Sequence, residues 1–366
     1  MIAKIVFWGW PFVTYILFKR LPLIPAVLCS VLAGYLLLPR HITLDLPALP
    51  AITRSSMTIG TAIICALIVL WKSQSKGLRP AEQIPLPRML PGWIPQNKVI
   101  KILFFGMVFG PAMTAITNRD VVVDGGKAIE PLGTYDIFSS VLTSIMIILP
   151  LVLARKFLAY EEGQRALLMA LSIAGLIYSL PPLFEVRMSP QIYRIVYGVD
   201  GGLSWIQNLR GGGFRPAVFL GHGLTIGIFI SCAVLATLGC MRAVKPEQKL
   251  FFLAGFIWLF VTLILVKALG SLLIAIAIIP IILLCSARMQ LIAAACIALM
   301  VVGYPILRGV GLVPTGTIVN IAAKIDVQRS YSVAFRFDNE EMMLNKAERR
   351  PLFGWGGWGR SPQPKS

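Results

Sequence analysis

The sequence predicts an all-α fold: a polytopic transmembrane bundle of about ten helices with two long basic loops on one side. Three observations carry this reading. Of the 366 residues, 57% are hydrophobic and only 14% are charged, against roughly 25% charged in an ordinary soluble domain. The apolar residues form continuous runs, whereas a membrane β-barrel would show short alternating segments. Short basic connections separate these runs in a pattern that fits one threading through a bilayer.

A spanning helix needs about 20 mostly apolar residues, or about 17 at the short end. Ten runs qualify, at approximately 3–18, 21–38, 56–71, 99–117, 137–154, 166–183, 217–241, 250–266, 268–285 and 290–307. Pro11 interrupts the first, and only the region of Lys267 separates the eighth from the ninth. No signal-peptide cleavage pattern follows the first run, so it is kept as a helix. Lys72, Lys76, Arg79, Arg88 and Lys98 lie in the polar stretch 72–98; Arg155, Lys156 and Arg165 follow the fifth run; Arg242, Lys245 and Lys249 follow the seventh. Short basic loops belong in the cytoplasm, and all three agree with one threading. Two long loops, 184–216 and 308 to the end, then fall on the opposite side. The chain divides into N-terminal helices (1–135), a helical core with the first long loop (136–307) and the second long loop (308–366).

The net charge is +18. In a soluble chain that would suggest nucleic acid; here no nucleic-acid partner is expected. On the threading above, 15 of the 34 Lys and Arg residues are cytoplasmic and 19 lie on the opposite side. Arg187, Arg194, Arg210 and Arg215 lie in the first long loop, and Arg308, Lys324, Arg329, Arg336, Lys346, Arg349, Arg350, Arg360 and Lys365 in the second. Such a face suits lipid headgroups or an anionic substrate, since the planar Arg fork binds two phosphate oxygens at once. The six cysteines lie in or beside apolar runs with no metal spacing, and there are two histidines. No metal and no cofactor is expected from so few ligands.

Leu209-Arg210-Gly211-Gly212-Gly213-Phe214-Arg215-Pro216 leads into Gly221-His222-Gly223. Pro216 suits a first helical turn, which would put Arg215 just before a helix start where an anion is favoured; the other reading is a flexible turn with an interfacial Arg. His222 then lies inside the seventh helix, as a general base or as a core histidine. Lys267 adds charge to the same site or snorkels to the interface. In the second loop a short helix is expected at about 338–349, and Arg329, Arg336 and Asn339 share one face if that region is helical. Trp355 and Trp358, in a Gly-rich run, offer surfaces of the kind sugars stack on, or anchor an interfacial helix.

Taken together, Glu185-Val186-Arg187-Met188-Ser189-Pro190, Arg215-Pro216 with Gly221-His222-Gly223, Arg329-Ser330 with Phe335-Arg336-Phe337, and Pro351-Leu352-Phe353-Gly354-Trp355-Gly356 resemble motifs of the O-antigen ligase and polysaccharide polymerase superfamily. The likeness is greatest to its exopolysaccharide-polymerase type of bacterial inner-membrane protein. It runs from about Phe184 to the end, and more loosely back to about Asp136. The resemblance implies an enzyme that moves an oligosaccharide from undecaprenyl pyrophosphate to an acceptor hydroxyl, on a glycan or a lipid-linked molecule, at the periplasmic face. It implies that Arg215, Arg329 and Arg336 hold the diphosphate and that His222 activates the acceptor; Arg210, Lys267, Asn339, Trp355 and Trp358 are the further candidate substrate-binding residues read from charge and spacing. A ligase acting on a lipopolysaccharide core is the alternative within the class. A polysaccharide flippase is the alternative outside it, although no internal repeat of the transporter kind is present. Family members continue past the Gly/Trp run, whereas this sequence stops at Ser366. The expectation is a truncated chain, loosely held after about Arg350 and weakly active.

Overall fold

The computed structural model describes residues 2–44, 51–74, 87–124, 127–199, 209–210, 212–325, 327–357 and 359–360. All ten apolar runs are helices: α1 Ile2–Arg20, α2 Leu23–Leu37, α3 Arg54–Gln74, α4 Lys98–Thr117, α5 Thr134–Leu158, α6 Glu161–Met188, α8 Gly223–Ala243, α9 Pro246–Leu265, α10 Leu269–Leu284 and α11 Ala287–Gly309. Eight are long and apolar enough to cross a membrane, while α2 and α10 are shorter. The chain is an all-α, multi-pass membrane protein. Three further helices are α7 Ile192–Tyr197, α12 Thr315–Ile325 and α13 Val327–Ala347. Two antiparallel hairpins complete the described residues: β1 Val122–Asp124 with β2 Lys127–Ile129, and β3 Leu209–Arg210 with β4 Gly213–Phe214.

Several expectations need correction. Pro11 does not interrupt α1, which runs through it; prolines are tolerated in membrane helices because neighbouring groups satisfy the freed carbonyl. The seventh run does not begin at 217. Residues 217–222 form a buried turn and α8 starts at Gly223, with His222 as its N-cap rather than inside it. The expected short helix at 338–349 is the second half of the 21-residue α13.

The chain forms two compact units, and one of the points at which it passes between them lies inside α5. The first comprises Met1–Pro47, Ala51–Pro95 and Met146–Ser286. Its centre is α8, packed by α6, α9 and α10, while α1, α2 and α3 form a trio joined to α6 through α2. Gly175 of α6 lies where any Cβ would strike Ala233 of α8, so these two helices meet backbone to backbone, a contact small residues favour in membranes. The two ends of this unit are built differently. At one end Lys156 Nζ donates to the Leu90 carbonyl at 2.8 Å and the Arg88 guanidinium lies over the Tyr160 ring. At the other end the connections after α2, α6 and α9 come together, as the threading expects.

The second unit comprises Ala48–Pro50, Gln96–Ile145 and Ala287–Ser366. Here the described residues after α13, up to Arg360, are pinned, against the expectation that the segment is loosely held. Thr114 Oγ1 donates to the Phe353 carbonyl at 2.6 Å, and Asn118 Nδ2 to that of Gly354 at 3.0 Å. Arg350 donates to Asp120 Oδ2 at 2.5 Å. Arg360, fully buried, donates to the carbonyls of Asp120 and Glu130 and to Asp120 Oδ1. The Arg350 hydrogen bond holds the Asp120 carboxyl below the usual carboxylate range. Its contribution is therefore present at neutral pH and fades only as pH falls below the ordinary value of 3.8. Replacing Arg360 with Met should strand two backbone carbonyls, at about 1–3 kcal/mol each. Limited trypsin digestion after Arg349 and Arg350 should then be faster than in the unaltered protein; unchanged digestion would mean the guanidinium is not what holds this segment.

Candidate functional site

The first unit gathers cations around one turn. Glu185, near the end of α6 and 1% exposed, organises it. Its Oε1 accepts from Ile192 N at 2.9 Å, and its Oε2 accepts from Ala217 N at 2.8 Å and Val218 N at 2.9 Å. A carboxylate is the one common side chain that accepts on both oxygens without offering a donor. The turn it holds is strained: Val218 sits at φ 39 and Gly221 at φ 78. The first is a rare conformation for a β-branched residue, and strain of this kind persists only where surroundings enforce it.

Four segments deliver positive charge to this turn and to the β3–β4 hairpin that precedes it. Arg40, from the connection after α2, packs so closely on Gly221 that a Cβ there would overlap its guanidinium. Arg215 packs in the same way on Gly223, at the first residue of α8. Arg54, at the start of α3, donates to the Phe219 carbonyl at 3.1 Å and lies over the Tyr35 ring. Lys267, in the junction of α9 and α10, adopts φ 57 and brings its Nζ within 2.7 Å of where a Gly213 Cβ would stand. All four are half-buried. Burial pushes the Arg40 guanidinium below the usual arginine range, Tyr193 opposes this, and the neighbouring Arg54 charge adds to it. Arginine remains charged at neutral pH regardless, so these like charges are held near one another. Burial also pushes the Tyr197 hydroxyl up to about 12, with Tyr193 adding to the shift and Arg54 opposing it; the hydroxyl donates to the Leu37 carbonyl and fixes the connection that carries Arg40.

His222 closes the turn. Its Nδ1 accepts from Leu224 N at 3.1 Å and caps α8. In the neutral ring the proton then belongs on Nε2. The arrangement surrounds a helix N-terminus, itself favourable to negative charge, with guanidinium forks that suit phosphate oxygens.

Arg215 and His222 thus meet at the start of α8, while Lys267 is placed against Gly213, two residues before Arg215 in sequence; Arg215 meets the helix start through space and not through sequence adjacency. Arg40, Arg54 and Glu185 were not singled out from sequence. The two arginines were among the 19 cations assigned to this side, which is the signal that pointed to them. The side chain of Arg210 lies outside the described residues.

The second unit carries the remaining candidates. Arg336 is exposed on α13, and Asn339 Nδ2 donates to the Phe335 carbonyl at 2.8 Å. Helical spacing places 329, 336 and 339 on one side of α13, although the Arg329 side chain lies outside the described residues, as does Trp358. Trp355 is already engaged: its Nε1 donates to the Lys346 carbonyl at 2.7 Å, and Arg350 and Lys346 both lie over its ring. Arg308, at the end of α11, pairs with Glu341 at 2.6 Å and Glu340 at 3.5 Å. Arg308, Arg350 and Arg360 therefore serve the fold of this unit, and the outward basic surface expected of the second loop is reduced accordingly. The Arg308 pairing also sets Arg336, one turn before Glu340, near the level at which the span α11 ends.

Among the described residues no three His, Cys, Asp or Glu side chains gather as a metal cage would require. No family model, curated protein or solved structure matches this chain. What fold and site define is a class: a multi-pass membrane protein with a half-buried cationic cluster at one end of its helical core.

Proposed function

We propose that this protein is a membrane glycosyltransferase of the polysaccharide-polymerase type, using an undecaprenyl-pyrophosphate-linked oligosaccharide as donor at the periplasmic face of the bacterial inner membrane. The observation that carries the reading is the packing of Arg40 on Gly221 and Arg215 on Gly223, with Arg54 on the Phe219 carbonyl and Lys267 against Gly213 just upstream. A diphosphate leaving group needs positive charge fixed in place before charge develops, and a half-buried site strengthens that effect. In the reaction the acceptor hydroxyl oxygen bonds to the anomeric carbon, the bond from that carbon to the phosphate oxygen breaks, and lipid diphosphate departs with both electrons. Arg215 and Arg40, packed on Gly223 and Gly221, take up the growing negative charge. His222 receives the hydroxyl proton on Nδ1 when the bond to Leu224 opens. Polymerase and ligase differ here only in the acceptor.

The test is transfer from purified lipid-linked oligosaccharide by the protein in detergent or vesicles, with EDTA present and with acceptors of both kinds. Transfer to a like glycan supports the polymerase reading, transfer to a lipopolysaccharide core supports the ligase, and no transfer to either overturns the proposal. Two substitutions separate the roles of His222. Asparagine is a good N-cap but a poor base, so His222→Asn should preserve thermal stability while lowering turnover on the order of 10²–10⁴-fold. His222→Ala should lose stability as well, by about 1 kcal/mol. Near-normal turnover in His222→Asn would make the histidine a cap and nothing more.

A further inference from the structure

The helix α12 is short and begins five linking residues after the span α11 ends at Gly309. At 100° per residue its side chains divide into three strips. Thr315, Val319 and Ala322 are half-buried, and the helix packs against α13. Thr317, Asn320 and Lys324 form an exposed polar strip. Ile318 and Ile321 form an exposed apolar one, at 40% and 55% of their full surface.

Two exposed isoleucines on a polar-faced helix are ordinary in isolation. Their position is not. None of the apolar stretch of α11 is buried, as expected of a span facing lipid. Exposed apolar side chains recur at Ile306 near its end and beyond it at Val310 and Leu312, each about two-thirds exposed, and again at Ile318 and Ile321. Apolar surface is thus exposed on the span and again on one strip of α12, while Lys324 and Asn320 mark the strip that turns to water. A short helix with a strong apolar face and a cationic end, adjoining a membrane span, has the composition of one that lies in the interface plane.

We propose that α12 lies along the bilayer surface with Ile318 and Ile321 in the edge of the hydrocarbon, so that its partner is the lipid that surrounds α11. The helix acts as a float for the second unit. α13 packs on α12 and is tied through Glu340 and Glu341 to Arg308 at the end of the span. With both supports at the membrane surface, α13 is held at the depth of lipid phosphates, and its exposed Arg336 stands at that depth. This assignment is independent of the glycosyltransferase reading.

The experiment uses the full chain in phosphatidylcholine and phosphatidylglycerol vesicles. Photoreactive benzoylphenylalanine replaces Ile318 or Ile321 in two variants, and Thr317 or Asn320 in two more. A fifth variant carries it at Ile306 on the span, as a reference for lipid contact. After irradiation, lipid adducts are measured by mass spectrometry. Adducts at 318 and 321 should approach the Ile306 yield and exceed those at 317 and 320 several-fold. Equal yields at all four positions of α12, or no lipid adduct at 318 and 321 while Ile306 labels, would overturn the proposal. Crosslinks from 318 and 321 to a second copy of the chain would also overturn it, and would make the strip a protein interface.

Discussion

Replacing Arg215 with Ala should abolish glycan transfer while the protein still inserts into the membrane and keeps its thermal stability within about 1 kcal/mol. The side chain is half-buried and packs on Gly223 at the start of α8, outside the hydrophobic core cluster of this unit. In the proposed reaction, losing it removes a fixed positive charge where the departing diphosphate develops negative charge. Removing one such stabilising donor costs on the order of 10²–10³-fold in turnover. Arg215→Lys should recover little, because an ammonium lacks the two-point fork and sits on a more flexible stem. Arg336→Ala should also lower transfer strongly, with insertion intact, since that side chain is exposed. Initial rates with purified donor would measure all three. Full activity in Arg215→Lys would count against bidentate binding of a diphosphate.

The second large effect is expected at Glu185, on stability before activity. Its two oxygens accept three backbone N–H groups of residues 192, 217 and 218 inside the protein. Glu185→Gln keeps the shape, yet its amide group must turn a donor toward at least one of those donors. Each N–H left without a partner costs about 1–3 kcal/mol. The strained conformation at Val218 would then have less to enforce it. Glu185→Gln should lower the thermal midpoint in detergent by several degrees, Glu185→Ala by more, and both should lose the ordering of Arg40 and Arg215. A midpoint unchanged in Glu185→Gln would mean that the turn is held by its apolar contacts alone.

The spans were readable because continuous apolar runs have few other uses. The turn before α8 was not, and Ala217-Val218-Phe219-Leu220 explains why. Four apolar residues after a proline read as a first helical turn, but all four are buried in a loop. Hydropathy reports burial and not backbone conformation. What redirects the chain is Glu185, 32 residues upstream of Ala217, whose carboxylate takes the N–H groups of Ala217 and Val218. Arg40 and Arg54 illustrate the same limit. The alternation of spans and basic connections put them on the right side, but only the packed fold brings them to Gly221 and Phe219. Trp355 shows another limit. A Gly/Trp run looks like a platform for sugars, yet its tryptophan ring is occupied by Lys346 and Arg350 of the same unit.

The two short helices, α2 with 15 residues and α10 with 16, bear on where the chemistry sits. At about 1.5 Å per residue each is about 22–24 Å long, against a hydrocarbon layer of about 30 Å. Their far ends are flanked by Lys19 and Arg20 before α2 and by Arg288 after α10, which favours holding those ends at headgroup level. The shortfall then falls at the opposite ends, where Leu37 leads to Arg40 and Lys267 leads into α10. The cationic cluster would accordingly be recessed below the bilayer surface, in a thinned patch of membrane. On the proposed reading, a lipid-borne diphosphate would reach it by sliding sideways within the leaflet, without lifting its headgroup into water, and bulk counter-ions would screen it less than they screen an exposed loop.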